Sequence, residues 1–374
     1  MRFNLTGGAE SSRTVTYVSL LSLVLLALPA FTVPAAAATS CLTAGGTGFT
    51  AKVLAYPGQV ISGAINAAGC DLGIFVPPGS NNVAIKAVDV TGANDHGIFA
   101  EGVSGLLITR SIISGNGVAP HADCGSAPPG TPCINEDKAV ELAGTTNSIV
   151  SHNWVINNNA IGGIGISDDG PVDPGAMNPG TLTTSVGNTV EWNYVSGSGD
   201  CGVLVTAYDA GAGARGNTVL GNTILGNSPT NPGPAVGQIV VAADAPGTSV
   251  NGTLVIANLV LGSLLPGIVI HSNAPGDVIS GTIVRNNVVS DNGGYPAGAP
   301  FTSVNDPTDP AGIVVIAEAF PGMPTPPTIS NTIVSWNSVS HDKYGVWTCQ
   351  TKQTTVTNLL GDSTTAMTSC PAGA

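Results

Sequence analysis

Charge is scarce in this sequence. Asp, Glu, Lys and Arg make up only 9% of the 374 residues, and Lys and Arg together number 10. No basic stripe with interleaved aromatics occurs, and the formal net charge is −13, so nucleic acid and anionic membranes are poor partners. Several motifs are missing as well. There is no phosphate loop, no serine-hydrolase elbow, no H-E-x-x-H, and no C-x-x-C pair of the kind that holds zinc. Gly and Asn interrupt every stretch in which a 3.6-residue apolar period could develop, which argues against helical repeats. Scarce charge does not mean disorder here, since 43% of the residues are hydrophobic and Val, Ile and Leu recur throughout.

The first segment stands apart. Arg2 and Arg13 precede an apolar run from Val15 to Leu28, and in the following PAFTVPAAAATS the triplet Ala36-Ala37-Ala38 suits a cleavage site. Residues 1–38 therefore read as a secretory signal. The rest reads as a secreted, extracellular protein with no membrane span, because its apolar stretches are short and broken by Gly, Asn and Pro. Removing the segment takes away two arginines and Glu10, which leaves the chain slightly more acidic. All seven cysteines follow it, in a compartment that permits disulfides. Locality pairs Cys41 with Cys70, Cys124 with Cys133 and Cys349 with Cys370, and leaves Cys201 over.

The organising feature is a phrase that returns: NTVEWNYVSGSGDCGVLV at 188–205, NTVLGNTILGN from Asn217, NTIVSWNSVSHDKYGVWT from Asn331. Nine short alternating runs, most led by glycine, can be aligned: GIFV at 73, GIFAE at 97, AVELA at 139, GIGIS at 163, GVLVT at 202, QIVVA at 238, GIVIH at 267, GIVVI at 312 and GVWTC at 345. Between them come an N-T-apolar-apolar piece and then N-x-apolar-x-x-N, so each unit holds three strand-like pieces. Asn153, Asn193, Asn222, Asn258, Asn287 and Asn337 precede the third piece, with Arg110 in that place in an early unit. Asparagine tolerates left-handed backbone and bonds to nearby backbone groups, which suits a sharp turn, and stacked asparagines can bond between coils. A unit of about 22 residues cannot bury its own apolar side, whereas stacked units can. A β-sandwich would share the short strands but not the register of the repeat.

The unit G-apolar-x-apolar … N-T-apolar-x-x-N-x-apolar-x-x-N resembles the right-handed parallel β-helix of the pectate-lyase-like superfamily, over roughly residues 60–350. The resemblance implies an all-β solenoid of about nine coils at 73–349. Open ends of such a solenoid expose apolar side chains and strand edges, so residues 39–72 and 350–374 are expected to cap it, stapled by the terminal cysteine pairs. No single activity is implied, because lyases, hydrolases, epimerases, tailspikes and adhesins share the fold.

Insertions at 116–138, 228–236 and 293–311 precede the glycine-led run and one at 168–185 follows it, so the sheet built from these runs is the expected groove. Alternation turns Phe99, Glu101, Glu141, Ser167, Leu204, Thr206, Val240, Val269, His271, Val314, Ile316 and Trp347 outward. Asp209, Asp244, His271 and Glu318 could fall along one edge and are the candidate acid–base residues. Glu141, Asp168, Asp169, Thr206, Tyr208 and Trp347 are the candidate substrate-binding residues, with Trp347 as an exposed surface for stacking sugars. No metal-ligand set is assigned. NEDK (135–138) and SDDG (167–170) could take Ca²⁺, the one cofactor left open.

The catalytic sets of the related families are incomplete. GSGDCGVLV (197–205) is similar to the G-D-D-C segment of polygalacturonases, yet only Asp200 and Cys201 match, and the flanking coils lack that family's N-T-D and G-H-G. Lyases of the superfamily need a Ca²⁺ cluster and an exposed Arg or Lys. Here Arg215 and Arg285 lie in the N-T-type strands, and Lys138 reads as a loop residue. NDPTDPAG (305–312) lacks the histidine of the alginate-epimerase D-P-H. Two functions remain open. One is binding of extracellular or cell-wall polysaccharide, or service as a surface scaffold, through this groove. The other is a polysaccharide lyase, epimerase or glycoside hydrolase acting in it. In both the partner is a polysaccharide or cell-surface glycan, and the state of assembly stays open.

Overall fold

The computed structural model describes residues 40–44, 49–118, 135–170, 182–199, 201–227, 237–293, 311–319, 322–342, 344–363 and 366–367. They belong to one compact unit, Ser40–Ala374. Residues 1–38, most of the four insertions, and Cys124, Cys133 and Cys370 lie outside the described residues. Among the described residues there are strands and turns but no helix.

Each of the nine runs is a strand, and the nine lie side by side in one sheet: Leu72–Val76, Ile98–Glu101, Asn135–Ala143, Ala160–Ser167, Cys201–Ala207, Ile239–Ala243, Ile268–Ser272, Ala311–Ala317 and Tyr344–Cys349. Every neighbouring pair among them is parallel. Thr50–Leu54 and Ala366–Met367 extend the sheet at its two ends, and Leu42–Thr43 adds an antiparallel edge. The register stacks Ile98, Val140, Ile164, Val203, Ile239, Ile268, Ile313 and Val346 in one ladder with no solvent exposure, as the alternation predicts. Glycine leads because its side-chain direction points into the core where the chain enters the sheet. A Cβ on Gly97 would strike Ile113, on Gly202 Ile224, and on Gly312 Val339.

The other pieces form pairs of three-residue strands, such as Thr189–Glu191 and Tyr194–Ser196, each with one buried residue between two outward ones. A further sheet runs from Ser185–Val186 to Thr328–Ser330. Inward residues from all these sheets, among them Val190, Val195, Val203 and Val250, merge into one core. A buried Val or Ile contributes about 1.5–3 kcal/mol, and one coil holds only a few, so the coils are stable only when stacked.

Between the paired strands the chain turns in a left-handed conformation, one residue earlier than the asparagines suggest. The corner residues are Arg110, His152, Trp192, Gly221, Ala257, Asn286 and Trp336, with φ between 53° and 63°. The asparagines that follow are buried and bond to one another. Asn193 Nδ2 donates to Asn222 Oδ1 (3.0 Å), Asn222 to Asn258 (3.0 Å), Asn258 to Asn287 (3.0 Å) and Asn287 to Asn337 (2.9 Å). In the early unit Ser111, not Arg110, takes the asparagine's place, and its N–H bonds to Asn153 Oδ1. Cys41 and Cys70 are bonded, with Cα atoms 5.6 Å apart, which ties the antiparallel edge to the first coils. Cys349 is disulfide-bonded too, and Cys201 is fully buried.

Candidate functional site

Two ladders of side chains leave the outer face of the first sheet. One passes through Phe99, Glu141, Gly165, Leu204, Val240, Val269, Val314 and Trp347, and the other includes Thr206, Ala242, His271, Ile316 and Cys349. Their apolar members form clusters separate from the central core, so the direction is as alternation predicts. Their exposure is not. Trp347 is 2% exposed, Thr206 1% and His271 5%. Trp347 is therefore no stacking surface. Strands about 4.8 Å apart let outer side chains cover one another, and Ile161 and Tyr344 pack onto the same cluster.

Lys138 corrects a second expectation. It lies in the Asn135–Ala143 strand, not a loop, and is buried. Its stem crosses the next strand at Gly162 and Gly165, where a Cβ would crowd Lys138 Cγ at either position. The ammonium ends 3.0 Å from Glu141 Oε1 and 5.4 Å from the centroid of the Tyr208 ring, two strands along. Glu141 is held in turn: Ser167 Oγ donates to Oε1 (3.0 Å), and His96 Nδ1 lies 3.7 Å from Oε2. His96 Nδ1 also donates to the Lys138 carbonyl at 2.7 Å, which places a proton on that nitrogen. Desolvation opposes a buried Lys–Glu pair, so this support matters.

Past the strand ends, Asp168, Asp169 and Asp209 form one acidic group. Asp168 accepts the N–H groups of Tyr208 (2.8 Å) and Asp209 (3.1 Å), and Thr183 Oγ1 donates to Asp169 Oδ2 (3.1 Å). Burial pushes both Asp168 and Asp169 up to about 6, and the charge of Asp209 adds to the rise.

On the next coil Asp244 meets His271, with Oδ1 3.6 Å from Nε2. Burial pushes Asp244 up to about 7, partly offset by the charge of Lys138. Burial also pulls His271 down to about 4. Between those pH values both groups are largely uncharged, and their contact is not a salt bridge. Asp244 Oδ1 and His271 Nδ1 have no hydrogen-bond partner among the described residues. The Asp244 side chain keeps 22% of its surface exposed and Tyr208 is half-buried, so the face opens to solvent at this point. The four predicted acid–base residues thus do not form one set. Asp244 and His271 meet, Asp209 joins Asp168 and Asp169, and Glu318 lies buried one coil beyond His271, its N–H bonded to the Ser272 carbonyl (2.8 Å).

No protein-family model matches the chain, and no curated protein matches its sequence. Solved structures match its shape. The surface adhesin PfbA of Streptococcus pneumoniae superposes with a TM-score of 0.50 at 11% identity, over 86% of this chain and 84% of that one. This chain is a right-handed parallel β-helix of the pectate-lyase-like fold. The A-module of the Azotobacter vinelandii mannuronan C-5 epimerase AlgE4 is similar in shape (TM-score 0.49, 11% identity, 87% of this chain and 86% of that). So is a Yersinia enterocolitica family 28 exopolygalacturonase (TM-score 0.48, 12% identity, 79% of this chain and 45% of that). At such identities the likeness is one of fold.

The β-helix register explains how Lys138 escapes a reading of the sequence. Its sign is on the neighbouring coil, where AIGGIGIS carries glycine at the outward positions 162 and 165 and leaves a channel for a side chain from elsewhere. Of the segments that could take Ca²⁺, the side chains of 135–137 lie outside the described residues, and both Asp168 oxygens accept backbone N–H groups. Among the described residues no group of three or more His, Cys, Asp or Glu is arranged to hold a metal ion.

Proposed function

We propose that this β-helix protein acts on an extracellular polysaccharide where its outer face opens to solvent, with Asp244 transferring the proton and His271 beside it. The observation that carries the reading is the Asp244–His271 contact, two titratable groups 3.6 Å apart whose facing and distal atoms lack hydrogen bonds among the described residues. A carboxylic acid that keeps its proton up to about pH 7 suits general acid work at neutral pH. Lys138 supplies a fixed positive charge beside the Tyr208 ring, and its field reaches Asp244. Glu141, Asp168, Asp169 and Asp209 outnumber that one ammonium. Their combined negative charge favours an uncharged sugar over a polyuronate. An adhesin with the matching fold agrees with an extracellular place for the protein.

A second reading, polysaccharide binding or scaffolding without turnover, is favoured by the aliphatic Val240, Val269, Val314 and Ile316, which bring no reactive group to the outer face. The two are separated by incubating the protein with a panel of neutral and acidic polysaccharides and assaying new reducing ends and unsaturated products. Release of reducing ends from a neutral polysaccharide is expected, reduced by about 10²–10⁴-fold in Asp244→Asn. His271→Gln, which keeps most of the buried volume, should lower it at least about tenfold. Absence of product from the whole panel would leave the binding reading standing and remove the catalytic one.

A further inference from the structure

Among the described residues the exposed tryptophans lie away from the groove. Of four tryptophans, Trp347 is buried, while Trp154, Trp192 and Trp336 are 57%, 53% and 54% exposed. These three lie at or just past the left-handed corner between the paired strands, away from the first sheet. Trp192 and Trp336 are corner residues themselves, with φ of 54° and 57°. That conformation disfavours a bulky side chain, and on other coils glycine (Gly221) or asparagine (Asn286) makes the same corner. More than half of each indole stays exposed, so the corner recovers only part of an aromatic's burial in return. Yet two of the rings are held in place. Trp154 packs against Tyr194 on the next coil with ring centroids 5.4 Å apart. The Trp192 indole lies over Gly221, where a Cβ would strike its six-membered ring.

We infer that this corner is a second carbohydrate-binding surface, which takes an uncharged polysaccharide strand laid along the solenoid axis with sugar faces on the indoles. Flat, pre-oriented aromatic rings with one face open suit the apolar faces of sugars. The charge agrees. Between Trp192 and Trp336 the corner residues are Gly221, Ala257 and Asn286, none of them charged, and the formal charge of −13 repels polyuronates and nucleic acid. The spacing agrees too. Trp192 and Trp336 hold the same position four coils apart, about 19 Å at strand spacing, which spans several sugar units and exceeds a single small ligand. The surface is separate from the groove and holds a long chain whether or not the groove acts on it.

The test uses the full chain and three uncharged probes, namely dextran, a soluble β-1,3-glucan and a galactomannan, with polygalacturonate as the charged control. Affinity electrophoresis is read beside tryptophan fluorescence. At least one uncharged probe should retard the protein and shift its fluorescence, and polygalacturonate should do neither. Trp192→Gly and Trp154→Ala should each weaken binding tenfold or more. Glycine suits the left-handed corner, so the unfolding midpoint of Trp192→Gly should equal or exceed the parent's while binding is lost. Asp244→Asn, which disables the groove, should leave this affinity unchanged. Failure of all three probes to bind, full binding by both tryptophan variants, or loss of binding in Asp244→Asn would overturn the inference. So would self-association of the parent that the tryptophan variants abolish, which would show that a second copy covers the corner.

Discussion

Two groups of buried polar side chains in this β-helix are treated in opposite ways. In the asparagine ladder each amide is satisfied. Asn222 Oδ1 accepts from Asn193 N (2.9 Å) and Nδ2 (3.0 Å), and Asn222 Nδ2 donates to Asn258 Oδ1 (3.0 Å) and to the Val190 carbonyl (2.9 Å). On the outer face of the first sheet, Asp244 Oδ1, His271 Nδ1 and Glu141 Oε2 have no hydrogen-bond partner among the described residues. The coils stack in the same way at both places. A structural element requires the first pattern. The second leaves buried polar atoms without partners, and at Asp244 and His271 it coincides with shifted acidities. Repetition therefore does not separate the two groups, whereas the satisfaction of their hydrogen bonds does.

The contrast can be broken hardest at Lys138. Lys138→Met strands Glu141 as a buried, unpaired carboxylate and should lower stability by about 3–5 kcal/mol in denaturant unfolding. The double change Lys138→Met with Glu141→Leu should recover most of that loss, and an unchanged midpoint in the single variant would mean the pair is solvated. In the ladder, Asn222→Leu should lose about 1–3 kcal/mol, because Asn193 and Val190 are left with unsatisfied groups. Equal midpoints would count against a buried ladder.

Asp342 sharpens the comparison, because it is a buried acid that bonds between coils past the third strand, at a corner outside the asparagine ladder. Its Oδ1 accepts from Asn292 N (2.9 Å) and its N–H bonds to Ser363 Oγ (2.9 Å), while Oδ2 has no partner among the described residues. Burial pushes it from 3.8 to about 7. Its contribution is thus complete below pH 3.8 and is lost as pH rises through about 7. Asp342→Asn, which donates without needing a proton, should flatten that part of the decline in unfolding midpoint. Identical pH curves for parent and variant would contradict this. The smallest effect is expected at Asp244. Asp244→Asn should cost no stability and should add some above pH 7, since burial disfavours the charged form there. A loss as large as that of Asn222→Leu would make Asp244 a structural residue.

The fold is legible in the sequence because its determinants are local and repeated. The inward ladder from Ile98 to Val346 needs only alternation and an aligned glycine, and both are visible. The corner is read one residue late because asparagine is the conspicuous residue there, and nothing in the identity of His152, Trp192 or Ala257 announces a left-handed φ. On the outer face the direction of a side chain is legible but its exposure is not. Trp347 points where alternation sends it, yet its burial depends on neighbours contributed by other coils. Lys138 is missed for the same reason: Gly162 and Gly165 become meaningful only once Gly162 is set opposite Lys138. The meeting of Asp244 with His271 follows from consecutive coils and is found. Asp209 and Glu318 are drawn elsewhere, because strand ends diverge into different turns.

The central claim is tested most directly by titrating Asp244 and His271 themselves. The carboxyl carbon of Asp244 and the ring nitrogens of His271 can be followed by NMR in the labelled protein. The account predicts that the carboxyl loses its proton near pH 7 and that the imidazole stays neutral down to about pH 4. In Lys138→Met the Asp244 midpoint should move higher still, because the ammonium holds it down. Midpoints near 3.8 for Asp244 and 6.5 for His271 would instead reveal an ordinary charged surface pair, and the outer face would lose its claim to be a site.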